Sequence, residues 1–268
     1  MGPNHPQSPA GPGILETVAH QNNKTPAIPI PLDCWGKFLD VDKIMIAKVP
    51  SSSPQSSKYE AVANYFKNQT SSWGNKYQVY CSKGQPYTNF LILNKKVLVP
   101  ITGSSDDSAA LTSYKDAMPG YEVLGFTGNW QTTDALHCRT KGIADRKMVV
   151  IKHMPLLGEK ALQSSYTINA EVTSCSGNPL ASDSPKIYYR INTGSYNQIA
   201  MSSAGGNTYT GAIPAQSGGS EIGYYISASD TSGKAANHPF IGSPDLHTFI
   251  ISQSQTGPSA NFTSSDLW

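Results

Sequence analysis

FLILNKKVLVPI, residues 90–101, is the stretch of sequence that decides the fold. Its two apolar runs flank the polar residues 94–96, and this pattern predicts a β-hairpin. Downstream, SAALTSYKDAM at 108–118 has the apolar spacing of an amphipathic helix, and YEVLGF at 121–126 has the pattern of a strand. The stretch therefore predicts a unit of two strands, a helix and a further strand.

A similar order of elements occurs upstream. KIMIAKV at 43–49 is an apolar strand, YEAVANYFKNQ at 59–69 is helical, and KYQVYC at 76–81 is a second strand. With a last strand, KMVVIKHM at 147–154, these elements predict an α/β region that ends near residue 157. Strands, hairpin and helix recur there in two similar modules.

Beyond Gly158 the helical periodicity stops, and short alternating strands follow. They are SYTINAEVTS (165–174), KIYYRIN (186–192), YNQIAMS (196–202), TYTGAIP (208–214), EIGYYISASD (221–230) and LHTFIIS (246–252). Turn sequences such as NTGS, AGGN and SGGS separate them, which predicts a β-sandwich of immunoglobulin size. In the tyrosine pairs 188–189 and 224–225, one ring of each pair should face the core. Cys175 is the sandwich's single cysteine, so the disulfide of antibody domains is excluded.

The composition argues against several classes of function. A net charge of +2 and scattered Lys and Arg residues provide no basic surface for nucleic acid. No apolar run is long enough for a membrane helix, and MGPNHPQSPAGPG at the N-terminus is not a signal peptide. The sequence contains neither a metal-ligand cluster nor a phosphate-binding glycine loop, so we expect no metal and no cofactor.

The chemistry centres on Cys138, within TTDALHCRTKGIADRKMVV at 132–150. His137 and Arg139 flank it, and cationic neighbours favour the reactive thiolate form of a cysteine. Buried structural cysteines are common, however, and neighbouring residues such as Cys138 and His137 rarely form a catalytic dyad. Cys34 and Cys81 are expected to be ordinary buried thiols. Trp35, Trp73 and Trp130 are expected to be packing residues.

Three segments carry a family resemblance. PLDCWGKFLDVDKIMIAKVP (31–50), PYTNFLILNKKVLVP (86–100) and DALHCRT (134–140) are similar, in order and spacing, to signatures of the Porphyromonas-type peptidylarginine deiminases and, more loosely, of the agmatine deiminases. The resemblance implies part of a pentein propeller, which is built from ββαβ modules. It also fits an appended immunoglobulin-like domain.

The resemblance implies a hydrolase that converts arginine side chains to citrulline and releases ammonia through a covalent thiouronium on the cysteine. Cys138 lies at the nucleophile position. Asp33 matches the aspartate that binds the guanidinium group, and Asn89 matches an active-site asparagine. From the residues alone, Asp33 could equally be a turn residue and Asn89 a hairpin residue. The implied partner is an arginine-containing peptide or protein.

The sequence departs from the family pattern in two respects. Where the family has the histidine that acts as general acid and base, this chain has Pro31; His20, His137 and His153 are other candidates without motif support. Only about thirty residues precede the first signature, so roughly half of the propeller is expected to be absent and its exposed edges allow self-association. Two alternatives therefore stay open: an inactive remnant whose sandwich acts as a binding module, and an agmatine deiminase-like hydrolase.

The sequence predicts four regions. Residues 1–27 are a disordered N-terminal segment, 28–160 the C-terminal part of a deiminase catalytic domain, 161–254 an immunoglobulin-like sandwich and 255–268 a flexible tail. Because family members of this type tend to be exported, the resemblance implies an extracellular location.

Overall fold

The computed structural model describes residues 34–72, 75–131, 134–143 and 145–253. These fall into two compact units: the first contains the residues before Val149 together with Asn237–Asp245, and the second contains Val149–Ala236 and the residues from Leu246 onward. The terminal segments predicted to be disordered lie outside the described residues.

The first module consists of β1 (Gly36–Asp40), β2 (Lys43–Lys48), α1 (Ser56–Asn68) and β3 (Gln78–Lys83). β1 and β2 form an antiparallel hairpin, and β3 lies parallel to β2, so the sheet order is β1-β2-β3. The buried apolar residues of α1 recur at helical spacing, which gives the helix one apolar face. That face packs on β2 in a cluster formed by Ile44, Ile46, Val62, Ala63 and Phe66.

The second module repeats this arrangement with β4 (Leu91–Leu93), β5 (Lys96–Ile101), α2 (Asp106–Ala117) and β6 (Glu122–Thr127). β4 and β5 are antiparallel, and β6 lies parallel to β5. Asn94 forms the hairpin turn with φ of 53°, a conformation that asparagine tolerates better than most residues. The predicted pair of ββαβ modules is therefore confirmed. The propeller to which they would belong stays a prediction.

The core of the second module is built around Tyr114 of α2, which is fully buried. Its ring lies 4.6 Å from that of Phe90, and its hydroxyl donates a hydrogen bond to the carbonyl oxygen of Tyr87 at 2.9 Å. Burial raises the pKa of the Tyr114 hydroxyl far above its ordinary value. The hydroxyl therefore stays a donor and ties the helix to the loop that precedes β4.

The second unit contains two sheets. The larger has the order β11 (Asn197–Ala200), β10 (Lys186–Ile191), β14 (Glu221–Ser229), β16 (His247–Ile251) and β8 (Gly158–Lys160), and β15 (Ala235–His238) also pairs with β14. The smaller has the order β12 (Ser202–Gly205), β13 (Thr208–Pro214), β9 (Ser165–Ser174) and β7 (Val149–His153).

Both sheets contribute to one hydrophobic cluster, which includes Ile168 from the smaller sheet and Ile187, Ile226 and Phe249 from the larger. The burial of β9 alternates along the strand, as the period-2 pattern predicts. Tyr189 and Tyr224 are buried, whereas Tyr188 and Tyr225 are half-buried and stack at 5.0 Å, so the predicted division of the tyrosine pairs is confirmed. The immunoglobulin-like assignment stays a prediction.

The structure differs from the sequence analysis at two points in these elements. The strand predicted at 147–154 was placed in the α/β region, but β7 pairs antiparallel with β9 along its whole length and belongs to the second unit. Cys81 was expected to be buried, but it is exposed on β3.

In the described part of the chain, no helix is both long and apolar enough to cross a membrane.

Candidate active site

Cys138 lies in an exposed turn that follows β6 in the first unit. Asn89 lies in the loop between β3 and β4 and is completely buried. The side-chain Nδ2 of Asn89 donates to the Sγ of Cys138 at 3.0 Å. The fold thus brings together two residues that lie 49 positions apart and holds an exposed thiol against a buried amide.

Asn89 also fixes the backbone of the cysteine turn. Its Oδ1 accepts hydrogen bonds from the backbone N–H of His137 at 3.0 Å and from that of Cys138 at 3.3 Å. Its carbonyl oxygen accepts from the same His137 N–H at 3.1 Å. One side chain therefore orients both the sulfur and the peptide groups that carry it.

The position of Asn89 is set in turn by the segment around Cys34. The carbonyl oxygen of Cys34 accepts hydrogen bonds from Thr88 Oγ1 at 2.6 Å and from Gln85 Nε2 at 3.0 Å. Asn89 N–H closes a turn by donating to the Pro86 carbonyl at 2.9 Å. The Sγ of Cys34, a fully buried residue, lies 4.0 Å from Asn89 Nδ2.

Two cations lie in the segments that build the site. Lys37 Nζ donates to the Phe90 carbonyl at 2.8 Å and lies 4.7 Å from the centre of the Phe90 ring. Arg139 pairs with Asp134 at 3.0 Å, and its guanidinium lies 5.5 Å from the Trp130 ring. Arg139 is therefore engaged with neighbours on its own turn. An exposed ion pair of this kind contributes on the order of 1 kcal/mol or less.

Trp130 is half-buried and anchors the start of this turn. Its indole N–H lies within hydrogen-bond distance of the carbonyl oxygens of Ile101 at 3.1 Å and Phe126 at 3.0 Å. Trp35 packs partly buried against the first module, so both rings have packing roles. Trp73 lies outside the described residues.

The structure brings together two of the three residues predicted from the family motifs, Cys138 and Asn89. Asp33 lies outside the described residues, as do Pro31 and His20. His153 lies in the interior of the second unit, where its two ring nitrogens contact Asn169 and Tyr224.

The sequence analysis treated Cys34 as an ordinary buried thiol, whereas the structure places it against the amide that holds Cys138. Gln85 and Thr88, which support Asn89, were not identified. The one available sequence signal was the PYTNFL segment, which contains Thr88 and directly follows Gln85. Among the described residues, no group of three or more His, Cys, Asp or Glu side chains is placed to hold a metal ion.

The fold and the site define the class of this part of the chain: repeated ββαβ modules that present a cysteine thiol held by a buried amide. Residues 31–143 match the sequence profile of the Porphyromonas-type peptidyl-arginine deiminases.

Two solved structures illustrate the similarity. One is a Porphyromonas gingivalis protein described as an arginine deiminase: it is 26% identical, with a TM-score of 0.37, and the match covers 40% of this chain and 36% of that one. The other is the agmatine deiminase of Enterococcus faecalis: it is 20% identical, with a TM-score of 0.32, and the match covers 35% of this chain and 34% of that one. The matched region spans about a third of the length of these proteins.

Proposed function

We propose that this chain is a deiminase-type hydrolase that acts on arginine side chains in peptides, with Cys138 as its nucleophile. The observation that carries the proposal is the hydrogen bond from buried Asn89 to the exposed Cys138 sulfur at 3.0 Å. It lies within the segment that matches the peptidyl-arginine deiminase profile. The profile also supports arginine in a peptide as the substrate.

The reaction follows from the chemistry of the two partners. A guanidinium is a planar cation whose central carbon accepts a soft nucleophile. The Cys138 thiolate would add to that carbon, and the carbon–nitrogen bond to a terminal nitrogen would break as ammonia leaves with an added proton. Water would then attack the thiouronium carbon, the carbon–sulfur bond would break, and citrulline and the free cysteine would form.

Asn89 supports both steps through its position. Its N–H donates to the sulfur and so fixes the position of the attacking atom. Its Oδ1 holds the two backbone N–H groups of the turn, which keeps the sulfur in place as the carbon–sulfur bond forms and breaks. Asp33 is proposed to pair with the guanidinium nitrogens, on the strength of its position in the DCWGKFL segment.

Proton transfer separates the proposed activity from its alternatives. Pro31 occupies the position of the expected histidine, and proline has no side chain that exchanges protons. General acid and base catalysis typically contributes about 10² to 10⁴ in rate. This substitution favours one alternative, a protein without catalysis whose second unit acts as a binding module. An agmatine deiminase-like activity is the other alternative.

We further propose domain limits of 28–160 and 161–254, an extracellular location and the pairing of exposed propeller edges.

Citrulline release tests the proposal. The purified chain is assayed with an arginine-containing peptide and with agmatine, next to Cys138→Ala and the control Cys81→Ser, which removes a different exposed thiol. We expect turnover of the peptide that Cys138→Ala abolishes and Cys81→Ser preserves. Turnover that survives Cys138→Ala rejects Cys138 as nucleophile, and a preference for agmatine selects the small-molecule alternative.

A second variant tests the missing histidine. Pro31→His should raise the rate of citrulline release by roughly 10² or more if proton transfer limits the reaction. If neither the original chain nor Pro31→His releases citrulline, the non-catalytic alternative is favoured.

A further inference from the structure

Two thiols contact the same side-chain amide in the first unit. Asn89 Nδ2 lies 3.0 Å from the Sγ of Cys138 and 4.0 Å from the Sγ of Cys34. Because both distances start at one nitrogen atom, the two sulfurs are no more than about 7 Å apart, within reach of the side-chain rotations and the small backbone shift that a disulfide requires. The described structure has both cysteines in the reduced form.

The two thiols differ sharply in accessibility. Cys138 is exposed, whereas Cys34 has no exposed surface. A dissolved oxidant therefore meets Cys138 first. The Asn89 N–H donates to this sulfur and holds it in the exposed turn, and peroxides oxidise a cysteine through its thiolate form. Cys34 lies behind it, shielded from the oxidant and close to the sulfur that would be oxidised.

We propose that Cys138 is a peroxide-sensitive thiol that Cys34 resolves into an intramolecular disulfide. In the first step the Cys138 thiolate attacks a hydroperoxide, the oxygen–oxygen bond breaks, and a sulfenic acid and hydroxide form. In the second step the Cys34 sulfur attacks the sulfenic sulfur, the sulfur–oxygen bond breaks, and the hydroxyl group leaves as water with the proton of the Cys34 thiol. The two cysteines are oxidised by two electrons and the hydroperoxide is reduced.

The movement that this reaction needs falls on the side of Cys138. Cys34 is held by its own carbonyl, which accepts from Thr88 and Gln85. Cys138, by contrast, is followed by exposed residues at 139–143. The turn that carries Cys138 shifts toward Cys34 as its hydrogen bonds to Asn89 break. The disulfide thus exchanges the Asn89 contacts for a covalent bond.

The disulfide has a consequence for the site, and this consequence rests on the proposed function. A sulfur in a disulfide cannot attack a guanidinium carbon, so the oxidised protein would be inactive and reduction would restore it. Rapid resolution by Cys34 would also prevent irreversible oxidation of Cys138 to the sulfinic acid. Formation of the disulfide itself requires no deiminase activity.

Peroxide treatment of a simplified chain tests the proposal. In the full chain with Cys81→Ser and Cys175→Ser, Cys34 and Cys138 are the two remaining thiols. After hydrogen peroxide treatment at low protein concentration, both thiols should become unreactive toward Ellman's reagent. The intact mass should fall by two hydrogen atoms, and a cross-linked peptide pair should contain Cys34 and Cys138. Dithiothreitol should reverse all three changes.

Cys34→Ser in the same background is the matched control. There the monomer should gain one or two oxygen atoms at Cys138, or form a disulfide-linked dimer, and no monomer lighter by two hydrogen atoms should appear. The proposal is overturned if Cys138 gains oxygen equally whether or not Cys34 is present, or if the cross-linked species is always a dimer. These readouts are masses and thiol counts, so a chain without deiminase activity still tests the disulfide.

Discussion

At the scale of single residues, the properties of Asn89 explain why an amide occupies the centre of the site. An asparagine side chain carries an acceptor and a donor on one plane. The acceptor binds the backbone N–H groups of His137 and Cys138, and the donor faces the sulfur. Aspartate would keep the acceptor but lose the donor, and leucine would lose both. The amide is therefore the side chain that satisfies all these contacts.

Asn89→Asp removes the donor and adds a negative charge. A carboxylate at this position would repel the Cys138 thiolate, and we expect alkylation of Cys138 by iodoacetamide near neutral pH to slow by roughly tenfold or more. Peptide-resolved mass spectrometry measures the rate. Cys81 of the same chain is an exposed internal control whose alkylation should not change. Equal rates for Cys138 in the two proteins would mean that the Asn89 N–H does not act on the sulfur.

The sequence singled out candidate residues better than their contacts. Cys138 and Asn89 could be predicted because they lie within continuous motifs. The proximity of Cys34 to these residues could not be predicted. Asn89 lies 55 positions from Cys34 and 49 from Cys138, and the local sequence pattern contains no information about contacts over such separations. Cys81 was expected to be buried because its surroundings in the sequence are apolar, but it is exposed on β3. Apolar sequence neighbours do not by themselves show that a side chain is covered.

At the scale of elements, periodicity predicted the strands but not all of their partners. The alternation in β9 gives a buried and an exposed face, and the structure has both. β7 has the same kind of pattern, yet its partner is β9 of the second unit, because an apolar strand pairs equally well with many edges. β8 has three residues, too few for a recognisable period.

The position of β7 gives His153 a buried environment within the second unit. Its Nδ1 lies 2.7 Å from the carbonyl oxygen of Asn169, which can only accept, so Nδ1 carries the proton. Its Nε2 then accepts from the hydroxyl of Tyr224 at 2.8 Å, and that hydroxyl oxygen accepts from the Leu156 N–H. Burial lowers the pKa of His153 below its ordinary 6.5, against a smaller opposing effect of the Asn169 hydrogen bond.

This shift predicts that acid destabilises the second unit. The unfolded chain takes up a proton near pH 6.5 while the folded chain does not, so stability is lost as the pH falls below that value. The loss approaches about 1.4 kcal/mol per pH unit for one histidine until the folded pKa is reached. Thermal unfolding followed by tyrosine circular dichroism from about pH 7.5 to about pH 5.5 measures it.

His153→Gln is the matched variant for this effect. It lacks the titrating group, so its stability should vary less with pH, although it should be less stable at neutral pH. The ring of His247, which lies 5.8 Å from that of His153, is unchanged in the variant. An unchanged dependence on pH in His153→Gln would show that the buried histidine does not set it.

Gly120 follows α2 and shows how a second element, the segment Asn237–Asp245, packs within the first unit. Gly120 has φ of 83°, and a Cβ placed there would lie 2.3 Å from the Cβ of Pro244. Gly103 has a similar φ of 80°, but nothing lies within 4 Å of its Cβ position. An added Cβ would therefore strain the backbone at both glycines, but only at Gly120 would it also clash with a neighbouring side chain.

Gly120→Ala and Gly103→Ala separate these two costs. We expect Gly103→Ala to destabilise the first unit by about 1–2 kcal/mol through the backbone alone. Gly120→Ala should cost about 1–3 kcal/mol more, because it also forces the Pro244 contact apart. Urea unfolding followed by tryptophan fluorescence in a Trp268→Phe background reports on the three tryptophans that precede residue 149. Equal losses in the two variants would contradict packing of Pro244 against Gly120.

At the scale of the whole molecule, the two modules raise the question of what pairs with their outer strands. Among the described residues, each module sheet has three strands, with β1 and β3 outermost in one and β4 and β6 outermost in the other. β6 pairs with β5 in parallel, and its last three residues are exposed, including Phe126 at 42%. An outer strand with an exposed aromatic residue favours pairing with another chain.

We therefore predict that the chain self-associates and that β6 contributes to the contact. Burying a Phe side chain contributes about 1.5–3 kcal/mol, so Phe126→Lys should weaken the association constant by at least about tenfold, and its charge further disfavours strand pairing. Sedimentation velocity over a range of concentrations measures this. Ile250→Lys is the control, because Ile250 is similarly exposed, at 48%, but lies on β16 between two paired strands. If both lysine variants weaken association equally, general surface charge is responsible. If the unmodified chain stays monomeric at all concentrations, its outer strands do not pair with another chain.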